Sequence, residues 1–110
     1  MRSWNLLEIE APAGTRDPVV LHSTAEARAV LVVLNAGQQL GDHQVKENAY
    51  VAVVDGRVRV DAGGETRVGG PGSLFRFEPD ERHAVASDSG ARLLLLLAPW
   101  PGSGHYRGDR

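Results

Sequence analysis

The sequence predicts an all-β fold, an antiparallel sandwich or barrel, and three observations predict it. Apolar residues fall in short β-branched runs, and no window of a dozen residues carries a 3.6-residue apolar stripe. Turn residues interrupt these runs roughly every 8–12 residues, the spacing of strands in sandwiches and barrels. Asp55-Gly56 and Gly63-Gly64 each stand between two such runs, where tight turns belong.

The elements follow in order. Pro18–His22 reads as the first strand, with Pro18 at its entry, where a missing N–H is tolerated. Ala27–Leu34 is the second, closed by the turn residues Asn35-Ala36-Gly37. Ala49–Val54 and Arg57–Asp61 flank Asp55-Gly56, which predicts a hairpin because a type I′ turn needs positive φ at both central residues. Glu65–Val68 lies beyond Gly63-Gly64, a second predicted hairpin, and Gly69-Gly70-Pro71-Gly72 is a turn cluster. Ser73–Phe77 and His83–Ser87 are strands on either side of Glu78-Pro79-Asp80. Ala91–Leu97, after Asp88-Ser89-Gly90, is apolar on both faces and is expected between layers. One domain spans residues 1–110, with its barrel core over 18–98. The tail from Pro99 is irregular, but Trp100 and Tyr106 predict that it packs. Trp4, Leu6, Leu7 and Ile9 predict the same of the amino end, so both ends either cover the barrel or exchange with a second subunit.

Composition removes whole classes of function. The 12 basic and 14 acidic residues give a net charge of −2, so no basic excess exists to neutralise phosphates, and no nucleic-acid partner is expected. The absence of cysteine excludes disulfides, thiolate metal sites, iron–sulfur clusters and thiol nucleophiles. Glu8 and Glu10 interrupt the only apolar stretch near the start, so no secretory peptide is read there. The longest apolar run, Leu93–Pro99, falls far short of the roughly 20 residues of a spanning helix. A cytoplasmic protein with no membrane partner is expected. No serine sits in a nucleophile elbow, and the Gly69–Gly72 cluster lacks the Lys-Ser/Thr and helix of a phosphate loop. His22 and His105 read as satisfied or solvated histidines.

The remaining histidines carry a resemblance. Gly37, five residues, His43 and then Gly56 resemble the first motif of the cupin superfamily: Gly, five residues, His, any, His, three or four residues, Glu, six residues, Gly. Gly72 opens a match to the second motif, in which His83 takes the histidine position, while Glu78, Asp80 and Ser87 take those of its Pro, Gly and Asn. The resemblance implies a jelly-roll β-barrel (a double-stranded β-helix), usually paired as a homodimer. In metal-binding cupins the motifs supply three His and one Glu, which converge because alternate strand residues point to one side. Here the second histidine position is Val45 and the glutamate position is Ala49.

The expected site therefore rests on His43 and His83, facing each other across the barrel mouth, with Val45, Ala49, Val51, Phe75 and Phe77 lining the same cavity. One reading is a small-molecule-binding or structural barrel with a degenerate metal site and no cofactor. The other is an enzyme of the dioxygenase or isomerase kind, in which His43 and His83 hold a divalent metal with a carboxylate recruited from Glu47, Glu78, Asp80 or Glu81, or act by metal-free acid–base chemistry; Asp42 is expected to point opposite to His43. Two imidazoles alone fall short of the two-His-one-carboxylate or three-ligand sets that such chemistry uses.

Overall fold

The computed structural model of the chain describes residues 1–12 and 14–105 and, within them, every side chain except those of 14–17, 42 and 43. The described residues form nine strands: β1 (Gly14–Ser23), β2 (Arg28–Leu34), β3 (Gln39–His43), β4 (Asn48–Gly56), β5 (Val58–Ala62), β6 (Glu65–Gly69), β7 (Leu74–Phe77), β8 (His83–Ala86) and β9 (Ala91–Ala98). They make a large sheet ordered β1-β2-β9-β4-β7 and a small sheet ordered β3-β8-β5-β6, with every pairing antiparallel. From β2 to β9 the chain passes from one sheet to the other at every step except the β5–β6 hairpin, which stays in the small sheet, and β1 adds an edge beside β2. No helix among the described residues is long and apolar enough to cross a membrane.

Alternation along the strands builds the core. Val30, Val32 and Leu34 of β2, Ala49, Val51 and Val53 of β4, and Leu93 of β9 form one buried cluster with Val58 and Val60 of β5, Phe77 of β7 and Val85 of β8. Each such side chain contributes about 1.5–3 kcal/mol by leaving water. The double-faced apolar run sits as expected: β9 is the central strand of the large sheet. Leu31, on the opposite face of that sheet, is also fully buried. The amino-terminal segment is tied across that face by Arg92, whose Nε donates to the Leu6 carbonyl at 2.9 Å and whose guanidinium also reaches the Ile9 carbonyl.

The hairpin predicted at Gly63-Gly64 forms. Ala62 and Glu65 are register partners, and the two glycines have φ of 58° and 78°, the positive values a two-residue turn requires. The hairpin predicted at Asp55-Gly56 does not form. β4 pairs with β7 and β9, β5 pairs with β6 and β8, and the dipeptide carries the chain from one sheet to the other. Gly56 is needed there for space as well as for its φ of 84°: a Cβ would lie 2.2 Å from the Gly90 carbonyl oxygen. β3 was not among the predicted runs. Its sequence Gln39-Leu40-Gly41-Asp42-His43 has no β-branched residue, and its extended form comes from pairing with β8.

Candidate functional site

His83 opens β8 and is 4% exposed. Its ring stacks on Phe77, with centroids 3.9 Å apart and planes within 6°. Its Nδ1 lies 2.9 Å from the Glu81 carbonyl oxygen, which can only accept, so Nδ1 carries the proton of that hydrogen bond. A backbone carbonyl fixing one ring nitrogen is the way proteins orient an imidazole for use at the other.

The backbone brings His43 beside His83. The two are Cα partners on adjacent strands β3 and β8. They are neighbours in one sheet rather than residues on opposite walls, which corrects the expectation of a pair facing across the mouth. The His43 and Asp42 side chains lie outside the described residues.

The other expected residues come together as packing. Ala49 is the partner of Phe77 and Leu97, and Val51 the partner of Phe75 and Leu95. Ala49 and Val51 are 4% and 2% exposed, and Val45 and Phe75 pack against the same cluster from its margin. Val45 and Ala49, which stand where the resemblance would put the second histidine and the glutamate, carry no donor atom.

The recruited carboxylates are engaged elsewhere. Asp80 pairs with Lys46 at 2.7 Å, and its N–H donates to the Val45 carbonyl. Asp80 has a φ of 66°, which accounts for glycine at this position of the motif. Glu81 accepts the Glu78 N–H at 3.0 Å, and Glu78 lies 3.5 Å from Arg76. Glu47 is fully buried. Its Oε2 accepts the Gly102 N–H at 2.6 Å and pairs with His105 Nδ1 at 2.7 Å, and its Oε1 has no hydrogen-bond partner among the described residues. His105, read as satisfied or solvated, is the former: it is half-buried on this carboxylate and packs edge-on to Trp100. Residues 99–105 therefore fold back as an irregular strap, with Trp100 under the Arg28 guanidinium, while Tyr106 lies outside the described residues. Among the described residues no three His, Asp or Glu side chains come together as a metal-binding group.

Beside Phe77 opens a cavity of about 150 Å³, lined by Val60, Ala62, Glu65, Arg67, Arg76, Phe77 and Glu81. It lies where the edge strands β6 and β7 of the two sheets part. Its floor is apolar and its rim carries both signs, with Arg67 bound to Glu65 at 2.8 Å and Arg76 to Asn48 at 2.8 Å. Of the site residues named from the sequence, Phe77 and the candidate carboxylate Glu81 line it. Alternation along β5 was the signal available for Val60 and Ala62; no local signal marks Arg67 and Arg76.

Comparison with known proteins places this geometry. Solved structures with the same fold include a conserved protein of unknown function from Streptococcus pyogenes (18% identity, 88% of this chain and 86% of that one, TM-score 0.74). KdgF from a Halomonas species is similar at 24% identity over 76% of this chain and 79% of its own, with a TM-score of 0.72. A cupin superfamily protein from Desulfitobacterium hafniense is 13% identical over 84% of this chain and 85% of its own, with a TM-score of 0.76. No curated protein matches the chain. The Cupin domain profile matches residues 30–98, from β2 through β9 and so across both motifs, and by that match the chain belongs to the cupin family.

Proposed function

We propose that this cupin is a small-molecule-binding barrel whose metal site has degenerated, and that its ligand enters the cavity beside Phe77 and His83. The observation that carries this reading is the buried His83 imidazole, held at Nδ1 by the Glu81 carbonyl and stacked on a wall of that cavity. At about 150 Å³ the cavity is below the roughly 300–1,000 Å³ of drug-sized sites, so the ligand is small. Val45 and Ala49 support the loss of metal binding, because neither can coordinate.

The test is metal analysis of protein purified without a histidine tag. We expect well under one equivalent of metal after dialysis, and addition of zinc or manganese should leave the melting temperature unchanged. A full equivalent that survives chelator treatment and disappears in His83→Ala would overturn the reading. It would favour a metal-dependent dioxygenase or isomerase built on His43, His83 and a further carboxylate.

We also propose a two-fold homodimer formed through the outer face of the large sheet. Leu94, Ala52 and Leu74 are successive partners across that face, and Leu74 is 63% exposed, with Leu7 and Trp4 of the covering segment at 60% and 41%. Apolar surface of this kind on a small domain favours association. Light scattering at micromolar concentration should give twice the 11.8 kDa chain mass, and Leu74→Arg should lower it. The mass of one chain for the unaltered protein would refute the dimer.

A further inference from the structure

We infer that the outer face of the small sheet carries a second binding site, for a compact monoanionic carboxylate, in the cavity walled by Arg57 and Arg59. This cavity measures about 240 Å³. It lies over the start of β5 and the end of β8, where Arg59 is the register partner of both Val68 and Ala86. His83 is the partner of Ala62 at the other end of the same strand pair, so the two sites are separate.

The walls supply charge that the fold does not consume. Among the described residues Arg57 has no ion-pair partner, and its guanidinium rests near Gly70 of the turn before β7. The carboxylate nearest Arg59 is Asp61, at 4.0 Å and half exposed, too long for a hydrogen bond. A guanidinium presents a planar fork of donors that matches a carboxylate in two-point contact. Asp88 lines the same cavity, so two positive charges and one negative leave a net of one positive, the complement of a monoanion. Ser89 adds a hydroxyl at the rim, while Val68, 60% exposed on edge strand β6, and Ala86 give an apolar floor. An exposed valine beside two arginines suits a ligand with an apolar body and an anionic head.

The site is also held ready. Ser87 is 1% exposed, and its Oγ donates to the Arg57 carbonyl at 2.6 Å and accepts the Gly90 N–H at 2.9 Å. One buried hydroxyl thus ties the Arg57 wall to the Asp88–Gly90 turn that forms the other. Walls fixed before binding spare the ligand the cost of ordering them.

Titration of the full chain with benzoate at constant ionic strength, followed by backbone amide NMR, tests the site. We expect saturable shifts confined to residues 57–59, 68 and 86–89, with Kd near the millimolar range or tighter. Arg57→Ala and Arg59→Ala should each weaken binding about ten-fold, the loss of one charge-assisted contact. Arg67→Ala, a paired surface arginine, should leave it unchanged. Inorganic phosphate, mostly a dianion at neutral pH, should bind more weakly than benzoate in the unaltered protein and gain most from Asp88→Asn. The proposal is overturned by non-saturable shifts, by shifts centred on Phe77 and His83, by affinity indifferent to both arginine variants, or by equal losses in Arg67→Ala. Phosphate binding as tight as benzoate would overturn the assignment to a monoanion.

Discussion

Gly56→Ala is expected to destabilise the protein by about 3 kcal/mol or more. Two costs add. An alanine held at a φ of 84° sits in the left-handed region, at about 1–2 kcal/mol. Its Cβ would also lie 2.2 Å from the Gly90 carbonyl oxygen and 2.7 Å from the Ala91 Cα. Those are backbone atoms and cannot swing aside, so either β4 or β9 must shift, at about 1–3 kcal/mol. Gly64→Ala is the control. Gly64 has a φ of 78° but nothing within 4 Å of its ideal Cβ, so only the first cost applies. Urea denaturation of the two variants separates strain from collision. Equal losses would show that β4 and β9 accommodate the methyl group freely.

Phe77→Ala is expected to cost about 3–5 kcal/mol, the range for truncating a buried aromatic side chain. Phe77 is 3% exposed, belongs to the central cluster and stacks on His83. At roughly 4–8 °C per kcal/mol for a domain of this size, the melting temperature should fall by at least about 12 °C. Phe77→Leu keeps most of the volume and should recover more than half of the loss. A fall of under about 4 °C for Phe77→Ala would mean that the ring is not packed as described.

The course of the chain was legible where the determinants are local. Gly63-Gly64 allows hardly anything but a tight turn between its flanking strands, and the hairpin formed. Asp55-Gly56 carries the same local signal, yet the strands beside it bond to other partners, because pairing is decided by residues far along the chain. β3 was invisible for the matching reason: Gln39-Leu40-Gly41-Asp42-His43 has one large aliphatic residue, and its neighbour β8 makes it a strand. The candidate site divides the same way. The second motif pointed to His83, and alternation grouped Phe75 with Phe77. Glu81 was named as a carboxylate near His83, but its company with Arg67, Arg76 and Glu65 could not be read, since that rim assembles only where β6 and β7 part. Glu47 was weighed as a recruited carboxylate. It is buried instead because Gly102 and His105 arrive on the returning strap.

The position of β9 bears on how the protein is made. β9 is the last of the nine strands along the chain and the middle strand of the large sheet, bonded to β2 on one side and β4 on the other. During synthesis β2 and β4 leave the ribosome with no hydrogen-bonding partner between them. The small sheet, whose strands end at Ala86, can pair first. At roughly 5–20 residues per second, the interval between the end of β4 and the end of β9 lasts seconds, during which Val30, Val32, Val51 and Val53 have no finished core to enter. Long-range pairing of this kind is slow and exposes unpaired edges meanwhile. The apolar faces of β2 and β4 therefore find their shared neighbour only when the last strand has been made.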